Sequence, residues 1–346
     1  MFIDIKNRYR KEVVVRLGNL WRSIRPEWVT INNSKIAEIA GNIFRRKFIA
    51  PNWRIENVLP VDDIFFASWL PYLCAVDFAF TDFDYPHRRF RAEKFYGSMA
   101  MGHCFYRHFG ERLITAKEML EITKSLSTTE QFLRGIDGPP PMIDQRRDNL
   151  REVADIMIRT FDDDFMNLVE FVKFKAGILI DILCSVFPDS YGKDFVNVDR
   201  QLIPDLPEDL VGRAYFNKRA NLLALMYQGR AISSSGRIPS LRTSRSLRAL
   251  ADTAVPNALR ELGILEYHLV LSQNIKEFTE LKRGGRQEIE IRLATMLAVN
   301  VLLEKINNHR VAADMTRLSM VELDYFLWNM GRESGLRPHL VRTTAY

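Results

Sequence analysis

Cysteine and histidine are scarce, with three Cys and six His among 346 residues. Cys74, Cys104 and Cys184 are odd in number, far apart and without a C-x-x-C partner, so no disulfide framework is expected and a reducing, cytoplasmic setting is. The histidines are equally scattered. His103 and His108 are five apart, off a shared helical face, and no metal site is expected. Long apolar runs are also missing. The stretch from Ala176 to Phe187 is broken by Asp181 and falls short of the roughly 20 residues of a membrane span, so no span is expected. The N-terminal segment carries charge throughout, and no signal peptide is expected. There is no G-x-S-x-G, Walker loop, G-x-G-x-x-G or H-E-x-x-H, which disfavours serine-triad or zinc hydrolysis, and no cofactor is expected.

What is present is apolar and aromatic. Hydrophobic residues make up 47% of the chain, with 22 Phe, 11 Tyr and 5 Trp, the make-up of a globular protein. The net charge of +6 suits a phosphate-bearing ligand or nucleic acid but is also common among proteins that bind neither. No repeat or sharp composition shift divides the chain, so a lead over 1–60 and one large helical domain over 61–346 are expected.

Helical periodicity dominates. Between Arg286 and Asn308, Ile289, Leu293, Met296, Leu297, Val299, Leu303 and Ile306 recur at threes and fours without Gly or Pro. Asp144–Thr160 and Asn167–Phe187 read as core helices, and a short helix enters at Pro256 and stops at Gly263. Loops are expected over Gly135–Asp144 and Gln228–Leu241, where Gly, Ser and Pro cluster. The best strand signal, Arg88–Tyr96, fits a small β-hairpin. The expected class is mainly α.

Acids and bases embedded in apolar text need partners or a task. They fall in VDFAFTD (76–82), AYFNKRAN (214–221), LADTAVPNAL (250–259), GGRQEIEIR (284–292) and LDYFLW (323–328). In this order the segments resemble the queuosine salvage family, the queuosine 5′-phosphate N-glycosylases, with its F-x-F-W, Y-K-R-A-Q, F-A-D-Y-R/K-x-P-Q, G-[DS]-x-x-E-x-E-I-R and D-Y-x-L-W segments. VFPDSY (186–191), LRELGIL (259–265) and the closing RTTAY extend the likeness from about Val76 to Tyr346.

The resemblance implies a fold similar to helix-hairpin-helix DNA glycosylases and hydrolysis of a nucleotide N-glycosidic bond to free the base queuine, with a small-molecule nucleotide as partner. Such a bond breaks through a cation-like sugar that a carboxylate stabilises. The resemblance puts Asp252 in that role. Read from the residues alone, Asp252 is a helix cap ahead of Pro256. Lys218 matches the Lys of Y-K-R-A-Q and is implied to meet the phosphate, with Asn221 on the same helix. Phe78 and Phe80 match the base-stacking region, although alternating aromatics also read as core, and Asp77 beside them is a further substrate-binding candidate. Glu288 and Arg292, four apart, read as an internal ion pair supporting the site, and Asp324 and Trp328 as its buttress or as packing of the last helix.

The departures fall on polar recognition positions. Thr253 and Ala254 stand for Tyr and a basic residue, Asn257 and Asn221 for Gln, Thr81 for Trp, and Met226 for an acid. A divergent binder of weak or no activity is the alternative this raises. A second alternative is nucleic-acid binding through Arg230, Arg237, Arg242, Arg245 and Arg248, the last three spaced for a helical face; a solvated surface segment is the preferred reading there.

Overall fold

The computed structural model describes residues 14–206, 208 and 211–346. The first part of the expected N-terminal lead, residues 1–13, lies outside them. Chain order is α1 (Leu17–Ile24), β1 (Val29–Ile31), α2 (Asn33–Ile43), α3 (Asp63–Ala75), β2 (Arg91–Ala92), β3 (Phe95–Tyr96), α4 (Ser98–Phe109), α5 (Ala116–Ile122), α6 (Leu126–Phe132), α7 (Ile143–Phe161), α8 (Phe165–Phe171), α9 (Ala176–Val186), β4 (Phe195–Val198), β5 (Gly212–Tyr215), α10 (Lys218–Ser233), α11 (Ala254–Glu261), β6 (Leu265–Tyr267), α12 (Leu269–Lys276), α13 (Arg286–Ala312) and α14 (Met320–Glu333). The chain is mainly helical. Its described strands pair as three two-stranded antiparallel sheets, β1 with β6, β2 with β3 and β4 with β5. The hairpin read from Arg88–Tyr96 is the second of these, with Glu93 at φ 52° in its turn. No described helix is long and apolar enough to cross a membrane.

The chain forms two compact units, 1–50 with 194–218 and 247–342, and 51–193 with 219–246 and 343–346. In the first, α13 is buried on all sides from Glu288 to Met296. Its Ile289, Leu293 and Met296 meet Leu20 and Ile24 of α1, Val196 and Val198 of β4, and Phe216. Each such burial is worth about 1.5–3 kcal/mol. Because every face is covered, the charges of this stretch must be met by protein groups. Glu290, fully buried, accepts from the N–H groups of Glu27, Trp28 and Val29 at 2.9, 2.6 and 3.2 Å, which fixes the entry to β1.

In the second unit α7 packs against α3, α5 and α6. Its N-terminal Arg146 is fully buried and donates to the carbonyls of Val76, Phe78, Ala79 and Pro141, so it organises the turn after α3.

Three local readings are corrected. Asn167–Phe187 is two helices, because Lys173 and Phe174 take positive φ (53° and 56°) and the chain there pairs with Arg242. The loop expected from Gln228 begins later, since α10 runs to Ser233. Gly229 marks close approach rather than a break: a Cβ there would stand 2.5 Å from the Pro51 carbonyl oxygen. Finally, Arg242, Arg245 and Arg248 share no helical face, as only Ser244–Ser246 form a short 3-10 turn, and Arg230 is fully buried rather than on a stripe.

Candidate active site

Asp252, Lys218, Glu288, Arg292, Asp324 and Trp328 belong to the first unit, and Asp77, Phe78, Phe80 and Asn221 to the second. Asp252 is half-buried just ahead of α11. Its Oδ1 accepts from the N–H groups of Ala254 (2.9 Å) and Val255 (3.2 Å), satisfying two donors that a helix start leaves open. Asp252 thus caps the first turn of α11, and the two bonds hold its carboxylate in a fixed orientation.

Asp324 approaches from α14. It is 5% exposed, and its Oδ1 accepts from the Leu250 N–H at 2.8 Å, two residues before Asp252. Burial pushes the Asp324 carboxyl up to about 7; the Leu250 N–H opposes the rise, the Asp252 charge adds to it, and the Lys218 ammonium opposes it. Two carboxylates and a buried lysine therefore share one electrostatic neighbourhood, with one acid near its proton-exchange point at neutral pH. α11 and α14 hold this arrangement by direct packing, Gly331 lying against the Ala254 backbone.

Asp194, at the entry to β4, carried no sequence signal beyond the need of Arg292 for an anion. Both are almost fully buried, and Asp194 takes both ends of the Arg292 guanidinium at 2.6 and 2.8 Å. Its Oδ2 also accepts from the Lys218 N–H at 2.7 Å. Arg292 Nε donates to the Ala251 carbonyl at 3.1 Å, and its guanidinium lies 4.0 Å from the Phe216 ring centre. Glu288, expected beside Arg292, accepts from the Gly284 N–H at the start of α13. His339 is buried, and burial with the charges of Arg292 and Arg260 holds its imidazole down to about 3, so it is neutral. Trp328 is half-buried, stacked on Tyr325 (6.1 Å between centroids) and covered by Arg332 at 4.5 Å.

In the second unit Phe78 is fully buried, with the Arg146 and Arg219 guanidinium carbons 4.3 and 5.2 Å from its ring centre. Phe80 is half-exposed and stacks on Phe90 at 6.5 Å. Asp77 is half-buried and within electrostatic reach of Arg146, whose pKa burial lowers to about 9. Asn221 is buried in α10. The carbonyl of Tyr346 accepts from the Ala79 N–H at 3.1 Å, which places Tyr346 beside the Phe78–Phe80 segment.

These residues lie on segments shared with known proteins. A queuosine 5′-phosphate N-glycosylase/hydrolase of Sphaerobacter thermophilus is 26% identical over 323 residues, 92% of this chain and 93% of the relative. One of the same name from Dictyostelium discoideum is 24% identical over 349 residues, 94% and 96% of the two chains. One from Bos taurus is 27% identical over 220 residues, 61% and 59%. The family model described as Queuosine salvage protein matches residues 62–345, and the chain belongs to that family.

Proposed function

We propose that this protein hydrolyses the N-glycosidic bond of a nucleoside 5′-monophosphate, queuosine 5′-phosphate first among them, releasing the base and ribose 5-phosphate. The observation that carries the reading is the near full-length alignment with relatives of that name, which spans Asp252 and its surroundings. Water supplies hydroxyl to C1′ and a proton to the departing base. Asp252 is assigned the anion beside the ribose, oriented by the Ala254 and Val255 N–H groups. Lys218 is assigned the phosphate, and Asp77, Phe78, Phe80 and Asn221 the base and its surroundings. Glu288, Arg292, Asp324 and Trp328 support the carboxylate. A likeness to helix-hairpin-helix glycosylases, the boundary between a lead over 1–60 and a domain over 61–346, and a cytoplasmic setting belong to the same proposal. The start of the family match at residue 62 supports the boundary, and three buried cysteines, none in a disulfide, support the setting. Incubation with queuosine 5′-phosphate and chromatography for free base and ribose 5-phosphate tests it, and no turnover across queuosine, purine and deazapurine nucleotides refutes it.

Altered specificity is the second reading. Asn257 donates to the Leu336 carbonyl at 3.0 Å and accepts from Arg260, Met226 sulfur lies 3.9 Å from Cys74, and Ala254 packs on Gly331. The side chains of Asn257 and Met226 and the backbone of Ala254 are thus engaged within the protein, which supports a pocket that favours another base. Faster turnover of a different nucleotide would establish it.

A further inference from the structure

The geometry points to Asp194 as a positioning residue that, through Arg292, holds the start of α10 and the segment leading to Asp252 in one fixed relation. This inference deepens the proposed activity and depends on it for its kinetic arm. Four hydrogen bonds converge on the pair. Asp194 receives both Nη groups of Arg292 (2.6 and 2.8 Å) and the Lys218 N–H (2.7 Å), while Arg292 Nε reaches the Ala251 carbonyl (3.1 Å). The residue assigned to phosphate is thereby joined, through two side chains, to the residue next to the assigned carboxylate. The Asp194 carbonyl adds an acceptor for the Phe216 N–H at 3.0 Å, so the segment entering α10 is tied to Asp194 by main chain and side chain together.

A buried ion pair is a poor source of stability, because removing both charges from water offsets most of their attraction. What a bidentate carboxylate–guanidinium fork does supply is direction, since two parallel bonds fix both groups in one plane. Arg292 is sandwiched further by the Phe216 ring, which leaves its Nε aimed at Ala251. A displacement of about 1 Å at a reacting group can cost about 100-fold in rate, so a fork that sets two site elements acts on kcat.

The test uses the full chain with Asp194→Asn, Asp194→Glu and Arg292→Lys, each checked for folding by circular dichroism. Arg292→Lys keeps the charge but loses the fork and the Ala251 contact. Amide exchange read over residues 217–220 and 250–256 tests the linkage without any turnover. Both segments should lose protection together in Asp194→Asn and in Arg292→Lys while the middle of α13 stays protected; loss in one segment alone overturns the linkage. With queuosine 5′-phosphate, the folded Asn and Lys variants should lose about 100-fold in kcat with KM changed less than about threefold. The Glu variant should recover at least about tenfold over Asn by restoring the fork. A wild-type protein without turnover retracts the proposed function, and the exchange result then stands by itself. A turning-over wild type whose folded variants retain kcat within about threefold overturns the positioning role alone. If neither Asp194→Asn nor Arg292→Lys folds, the pair serves the fold, and the positioning role is likewise overturned.

Discussion

Gly331 lies so close to Ala254 that a Cβ on it would overlap the Ala254 carbonyl oxygen. This contact lets α14 lie directly on the first turn of α11, and so brings Asp324 and Asp252 into one neighbourhood. Gly331→Ala should force the helices apart, lowering stability by about 1–3 kcal/mol as overpacking does. Turnover should fall further than the loss of folded protein explains. Chemical denaturation and rate per folded molecule check the two effects, and an unchanged midpoint would refute the contact.

Asp252 both caps α11 and is assigned the anion at the ribose, and one substitution separates these roles. Asparagine caps a helix about as well as aspartate, so Asp252→Asn should keep stability within about 0.5 kcal/mol while lowering kcat by about 100- to 1,000-fold. Asp252→Ala should add a loss of about 1 kcal/mol in stability. An Asn variant that is as active as the parent would leave Asp252 a cap and nothing more.

The helices around these residues were legible where period and punctuation agreed. Arg286–Asn308 and Asp144–Thr160 are found within a few residues of their read limits, as Arg286–Ala312 and Ile143–Phe161. The break at Lys173–Phe174 was not, because two ordinary residues take positive φ only through pairing with distant Arg242. Distance along the chain also hid β1–β6, which pairs Val29–Ile31 with Leu265–Tyr267, while β4 and β5 are separated by residues 199–211 rather than by a short turn signal. At the site, ordered motifs led to Asp252, Lys218, Arg292 and Asp324. Asp194 was invisible, since an aspartate in KDF has no neighbour to mark it and its partner is 98 residues away.

Stability should depend on pH through Asp324. Its carboxyl titrates at about 7 in the fold, against about 3.9 in an unfolded chain. Between these values the folded protein keeps a proton that the unfolded chain has lost, so stability falls as pH rises from about 4 to about 7, and the deficit is complete above that. The contribution is on the order of 4 kcal/mol. Asp324→Asn can still accept from Leu250 and carries no charge, so its stability should fall less between pH 5 and pH 8 than that of the parent. Urea unfolding at the two pH values measures this, and parallel profiles would count against a raised Asp324.

Arg230 stands apart from the exposed arginines that follow it. Fully buried, it donates to the carbonyls of Trp53 (2.9 Å), Pro60 (2.8 Å) and Val61 (3.0 Å) and to Asp63 (3.2 Å), with Phe66 4.0 Å beneath its guanidinium. It therefore closes the segment before α3 and neutralises a buried aspartate. Arg230→Met would fill much of the same volume but leave Asp63 with less compensating charge and several carbonyls without donors. Breaking one side of such a pair costs about 3–5 kcal/mol. A nucleic-acid stripe would instead make Arg230→Met nearly neutral in stability and reduce the salt dependence of oligonucleotide binding by about one counterion. Paired denaturation and salt-titration measurements separate the two. The buried geometry predicts a large stability loss with no change in salt slope, and the opposite pattern would return Arg230 to the surface.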